Sequence, residues 1–183
     1  LKMMLKVYNN HHLNSKSFNK VKLILKYFQN DIQQFYSNSE LFDIFKRNKK
    51  VLLFLIKEKM LIIDDYIFEL FTSYNRYIKD HYPHYFLPEI KPFMTETWKL
   101  NPKYIVTKQL IEELKEEIPE NFEENREIGE NESLICTMIR NDSVEEFITY
   151  INKTNYPLDS HIKPSIYETN IFLTKNQEIP KIK

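Results

Sequence analysis

Val21, Leu25, Phe28, Ile32 and Phe35 follow one another at spacings of 4, 3, 4 and 3, a rhythm that gathers them onto one stripe of an α-helix. The same period returns at Ile67, Leu70, Phe71, Tyr74 and Ile78, and again at Leu110, Ile111, Leu114 and Ile118. No apolar segment before residue 155 alternates cleanly over five residues, so no strand is predicted there. Between the periodic stretches lie short breaks. Leu41, Phe42, Ile44 and Phe45 precede the polar "RNKK" of residues 47–50, and "VLLFLI" after it reads as a central, mostly buried helix. Asp64 is a predicted N-cap, with Ile63 and Phe68 placed as a hydrophobic staple. Pro83, Pro88 and Pro92 in "HYPHYFLPEIKPF" forbid one continuous helix, and the aromatics there are expected to tuck under the turns. A helix from Lys103 to Ile118 is closed by Pro119. The predicted fold is all-α, built of stacked helical hairpins with short connections.

The stretch "GENESLICTMIRNDSVEEFITYINKTN", from Gly129 to Asn155, reads as two short helices hinged at "RND". Gly129 can supply the positive φ that ends what precedes it, and Leu134, Ile135, Met138 and Ile139 fall on one face of the first helix. Asp142 and Glu145 have the spacing of a capping box, and Val144, Phe147, Ile148 and Ile151 form the predicted buried face of the second helix. Asn155 can close that helix in the left-handed region before Pro157. Two helices, a tight polar turn and then the irregular "PLDSHIKPSIYETNIFL" match the plan of an ankyrin unit of about 33 residues. Nothing later in the chain repeats it. The predicted organisation is an α-helical module over residues 1–120, then an atypical, capping ankyrin-like unit with an irregular tail over residues 121–183.

Composition narrows the chemistry. Gly129 is the single glycine of 183 residues and alanine is absent, a bias expected of an AT-rich coding sequence. Glycine-dependent phosphate loops and dinucleotide fingerprints cannot be built from one glycine. Cys136 stands alone, so no intramolecular disulfide is possible and a reducing compartment, the cytosol, is the expected location. The sequons at Asn131, Asn141 and Asn152 read as chance products of an Asn-rich chain. No apolar run reaches the ~20 residues of a membrane span, and the start resembles no signal peptide, so no membrane association is expected. Because the chain begins with Leu1, its native start is expected to lie elsewhere.

Charge is divided unevenly. Residues 1–110 carry 18 Lys/Arg against 10 Asp/Glu, net +8, and residues 111–183 carry 8 against 16, net −8. Ten Glu and two basic residues fall in residues 111–132, read as a solvated helix face and exposed connector. A sharper alternative is complementarity, in which the basic half docks on that segment or on an acidic partner.

"FKRNKKVLLFLIKEKMLI", "YPHYFLPEIKPF", "ENREIGENESLICTMIRNDSVEEFITYINKTN" and "IKPSIYETNIFL" resemble successive pieces of the N-terminal region of the large ankyrin-repeat protein families of certain parasitic single-celled eukaryotes. The resemblance covers roughly residues 40–173, most specifically Gly129 to Asn155. It implies a segment of uncharacterised function that leads into an ankyrin array. The closing "TKNQEIPKIK" departs from the family's Ala- and Gly-bearing repeat helix, so further repeats are expected beyond it, as in a fragment.

Candidates for catalysis are weak, and no catalytic, cofactor-binding or metal site is predicted. His81 and His84 stand three apart, but Pro83 interrupts the helix that would present both to a metal. His11 and His12 are adjacent and diverge on any regular element. Cys136 is expected to be a small packed thiol rather than a nucleophile. Glu112 and Glu116 are exposed i, i+4 neighbours without the apolar pocket general acid catalysis needs. The expected function is a non-catalytic protein–protein interaction module with an unknown protein partner, able to self-associate through an uncovered repeat face. The alternative is a basic surface in residues 16–60, where Lys20, Lys22, Lys26, Lys46, Arg47, Lys49 and Lys50 interleave with Tyr27 and Phe45. Its partner would be nucleic acid or another acidic surface; nucleic acid is disfavoured by the near-neutral pI.

Overall fold

The computed structural model describes residues 1–4, 6, 15–72, 82–94, 120–160, 162 and 165–169. Every regular element among them is helical, and the fold is all-α. The chain divides into two compact units, Leu1–Glu120 and Asn121–Lys183.

In the first unit the chain runs through α1 (Ser15–Tyr27), α2 (Gln29–Phe35), α3 (Asn38–Phe45), α4 (Lys49–Lys57) and α5 (Asp65–Thr72). Two single-turn helices follow, α6 (Tyr82–Tyr85) and α7 (Leu87–Ile90), and then a 3₁₀ turn over Lys91–Met94. Local chemistry starts these helices. Ser37 accepts from the Glu40 amide while the Glu40 carboxylate accepts from the Ser37 amide at 2.8 Å, a complete capping box for α3. The Ser37 hydroxyl, and then its amide, hold the Glu40 carboxyl below the usual value. Asn48 caps α4 by accepting from Val51 N at 3.0 Å, and Asp64 caps α5 by accepting from Ile67 N at 2.8 Å. Ile63 and Phe68 are both buried on either side of that cap, as the staple requires.

The core forms around α4, where Val51, Leu52, Leu53 and Leu55 are buried. Each such side chain contributes roughly 1.5–3 kcal/mol when removed from water. Helix α3 packs on both α4 and α5, and α5 packs on α6. Those contacts bring five aromatic rings together. Phe71 stacks on Phe86 with centroids 4.6 Å apart, and it meets Phe42 at 5.5 Å and Tyr82 at 5.9 Å. Tyr85 meets Phe86 edge-on at 4.9 Å. The prolines do not oppose this. Pro83 and Pro88 fall in the opening turns of α6 and α7, where a missing N–H costs nothing.

Two expectations for this unit are corrected. Val21, Leu25, Phe28, Ile32 and Phe35 do not form one buried stripe: Phe28 takes φ −97°, ψ 18°, which divides α1 from α2 and rotates the following turn. Val21, Leu25 and Ile32 are buried, whereas Phe28 and Phe35 are exposed. The "RNKK" break is not wholly polar surface, because Asn48 and Lys49 are buried, Lys49 to 5% exposure. Ile67 and Phe71 are buried and Leu70 half-buried; Tyr74, Ile78 and the helix expected over 103–118 lie outside the described residues.

The second unit contains α8 (Phe122–Ile128), α9 (Leu134–Arg140) and α10 (Val144–Thr154). Of the acidic run 111–132, residues 120–132 contain α8, and residues 111–119 lie outside the described residues. Gly129 ends α8 at φ 70°, its N–H on Asn125 O at 2.8 Å. The backbone carbonyl of Gly129 accepts from both Thr169 N at 3.0 Å and Thr169 Oγ1 at 2.7 Å. Residues 165–169 thus return to the start of the unit, where Tyr167 packs edge-on against Phe122 at 5.6 Å. Burial pushes the Tyr167 hydroxyl pKa up, against a hydrogen bond from Asn125 that lowers it; the charge of Glu132 adds to the rise. Arg126, 1% exposed, joins this core through an ion pair to Glu123 at 3.0 Å and a stacked position 5.3 Å from the Phe122 ring.

The hinge between α9 and α10 also differs from expectation. Asp142 does not cap α10. It takes φ 54° as the left-handed residue that closes α9, with Ser143 N on Met138 O at 2.9 Å. Backbone geometry thus takes Asp142 away from the capping position. Asn155 closes α10 in the left-handed region at φ 48° as expected.

Candidate interaction surfaces

No helix among the described residues is long and apolar enough to cross a membrane, and they hold no group of three or more His, Cys, Asp or Glu that could bind a metal. His84 lies in α6, whereas His81, His11, His12, Glu112 and Glu116 are outside the described residues. Cys136 is half-buried in α9 and its amide donates to the Ser133 hydroxyl at 3.4 Å. Of the sequon residues, Asn131 is buried with its side-chain oxygen on Ser133 N at 2.9 Å; Asn141 and Asn152 are exposed. Among the described residues, the hairpin of the second unit and α1 each carry an exposed apolar face.

The first is the hairpin of the second unit. Helices α9 and α10 pack against each other. Ile135 and Met138 of α9 point into the unit, and Arg140 ties its last turn back to the preceding loop through Glu130 at 2.6 Å. Leu134 and Ile139, expected on the same inward face, are exposed because they flank the 135/138 row on either side. On α10 the expected buried face is not buried. Val144 is 57% exposed and Ile148 52%, Phe147 and Ile151 are half-buried, and no residue of the helix is buried.

The second face is on α1. Val21 and Leu25 turn inward, and directly opposite them Leu23 is 69% exposed and Tyr27 83%, with Ile24 alongside. Lys16 and Lys20 lie on that same outer strip by helical spacing. The sequence reading missed this strip, because the 4-3-4-3 rhythm drew attention to the inward side. A signal was available: no Asp or Glu occurs in residues 1–30.

The seven basic candidates do not form one open surface. Lys49 is buried with its ammonium 5.5 Å from the Tyr82 ring and 5.2 Å from the Tyr85 ring. Lys26 pairs with Glu58 at 2.9 Å and Lys46 with Asp43 at 2.9 Å. Lys22 and Lys50 both lie over Phe18, at 5.0 and 5.2 Å. Lys20 and Arg47 are exposed. Of the two interleaved aromatics, Phe45 is buried in the core and Tyr27 is exposed. In comparison with known proteins, no family model, no curated protein and no solved structure matches the chain.

Proposed function

We propose that this chain is a non-catalytic protein–protein interaction module of the cytosol, and that its second unit is the atypical, capping first unit of an ankyrin-like stack. One observation carries the reading: α10 gathers Val144, Phe147, Ile148 and Ile151 on one side, yet buries no residue. An amphipathic helix gains most of its stability from covering that side, and units of a helical solenoid do so against the next unit or a partner. The basic-surface alternative is weaker, since Lys26, Lys46 and Lys49 are already engaged within the first unit.

The test is to extend the chain after Lys183 with two consensus ankyrin repeats. Covering α10 should raise the unfolding midpoint of the second unit and suppress binding of an apolar dye. The same extension on a Val144→Asp, Ile148→Asp variant should do neither. Unchanged midpoints and dye binding in the extended wild-type chain would overturn the reading.

A further inference from the structure

We infer that the exposed side of α10 receives an amphipathic helix of another protein, one whose apolar stripe is edged by lysine or arginine. The inference rests on the reading of α10 as an interaction face and adds the chemistry of its occupant.

The shape of the occupant follows from the row on α10. Val144, Phe147, Ile148 and Ile151 stand at spacings of 3, 1 and 3, the pattern by which one helix lies along another. Val144 and Ile148 are exposed and Phe147 and Ile151 half-buried, so the row is open over about two turns. Its charge follows from what surrounds the row, all of it within the second unit. Glu145 is exposed and set beside Ile148 by helical spacing, and exposed Asp142 stands in the turn that leads into the row. Among the described residues from 120 to 169 there are eleven Asp/Glu against three Lys/Arg. None of those three cations lies on the row. Arg126 is buried and paired with Glu123, Arg140 is paired with Glu130, and helical spacing puts Lys153 on the opposite side of α10. The face is thus apolar with an acidic edge. A helix with a cationic rim matches it: apolar contact supplies affinity, and opposite charge supplies register and encounter rate.

The lysine-bearing helices of the first unit do not answer that description. On α1, Lys22 lies over Phe18, Lys26 is paired with Glu58, and Lys16 also has a partner. On α4, Lys49 is buried, Lys50 lies over Phe18, and Lys57 has a partner as well. Cations already committed inside the first unit are poorly placed to serve the rim of another contact, which favours a helix from a different protein over this chain or a second copy of it. The acidic edge also repels phosphate, so neither nucleic acid nor an anionic bilayer suits this face. A row this short puts the buried area at the small end of specific interfaces, below about 1,200 Å² in total, so binding is weak and reversible.

Two labelled helical peptides test this on the intact chain by fluorescence anisotropy, one of leucine and lysine, the other with glutamate at every lysine position. The leucine–lysine peptide should bind about tenfold or more tightly than its acidic counterpart. That advantage should shrink as salt shortens the screening length from about 10 Å at 0.1 M to about 3 Å at 1 M. A Val144→Gln, Ile148→Gln variant keeps the charge of the unit and should lose the binding, which separates the row from the acidic surface at large. An Asp142→Asn, Glu145→Gln variant should bind the leucine–lysine peptide several-fold more weakly; asparagine tolerates the left-handed backbone of position 142. All four side chains are exposed, and circular dichroism verifies that both variants keep their helix content. Equal binding of the two peptides, or binding that survives Val144→Gln, Ile148→Gln, overturns the proposal. So does a wild-type mass that rises with concentration in sedimentation velocity and ceases to rise in that variant, which assigns the face to a second copy. If neither peptide binds but the repeat-extended chain is stabilised, this inference falls alone; if the extension also has no effect, the interaction reading falls with it.

Discussion

Tyr82 shows how much one side chain can hold. Its ring lies in the aromatic cluster beside Phe71 and Phe86, its hydroxyl donates to the Lys46 carbonyl, and the Lys49 ammonium lies over its face. Burial pushes its pKa well above the ordinary tyrosine value, only partly offset by the charge of Arg47. A phenol whose folded pKa is raised favours the fold in its neutral form. Its contribution is therefore whole below about pH 10 and is lost as pH rises from there toward the folded value. Tyr82→Phe should cost about 1–2 kcal/mol at neutral pH, by leaving the Lys46 carbonyl without this donor, and should move alkaline unfolding to higher pH. Denaturant titrations at neutral and alkaline pH check both effects. Asn38 is a second such residue. Its amide donates to Ile62 O at 2.6 Å and to Asp64 at 2.8 Å, and its oxygen accepts from Ile62 N at 2.9 Å. It fixes the approach to α5 from 24 residues away in sequence. Asn38→Ala should lower stability by about 2–3 kcal/mol in urea unfolding, more than the loss of a surface cap. Neither role was legible in the sequence, because each depends on a carbonyl or amide that only tertiary contact brings near.

Helix boundaries follow a common device: four positive-φ residues among the described ones, Lys59, Gly129, Asp142 and Asn155, follow the ends of α4, α8, α9 and α10. Gly129 and Asn155 were legible, since glycine and asparagine tolerate that region; Lys59 and Asp142 were not. The ends they make are alike, with Met60 N on Leu55 O at 2.9 Å after α4 and Ser143 N on Met138 O at 2.9 Å after α9. A side chain with a Cβ is strained there, so Lys59→Gly should stabilise the first unit by about 0.5–1 kcal/mol. Gly129→Ala should destabilise the second by about 1–2 kcal/mol, and it also crowds the carbonyl that Thr169 approaches. Thermal unfolding of both variants, with circular dichroism as the readout, gives the signs. A stabilised Gly129→Ala variant would contradict the role assigned to that turn.

At the scale of the whole molecule the two units are unequal. The described part of the first collects twenty buried apolar residues into one core cluster, whereas the described part of the second buries Phe122, Ile135, Met138 and Tyr167 beside the charged Arg126 and Glu168. Apolar burial is the main favourable term in folding, so the second unit is expected to unfold at lower denaturant. Urea titration followed by circular dichroism should show two steps. Leu52→Ala should lower the upper step by about 2–5 kcal/mol and leave the lower one in place, and Met138→Ala should do the reverse. A single step shifted equally by both substitutions would show that the units fold as one.

The sequence by itself determined that the chain is helical, where α4 lies, how Asp64 starts α5 and how Gly129 and Asn155 end α8 and α10, because period, capping and backbone freedom are local properties. It did not decide which apolar residues are covered. Phe28, Phe35, Val144 and Ile148 obey the same helical rhythm as Leu25 and Ile67, yet the former are exposed and the latter buried. Periodicity marks one side of a helix as apolar, but burial requires a second surface to meet it. Tertiary structure supplied that surface to α4, to α5 and to Val21 and Leu25 of α1, and left the apolar side of α10 exposed.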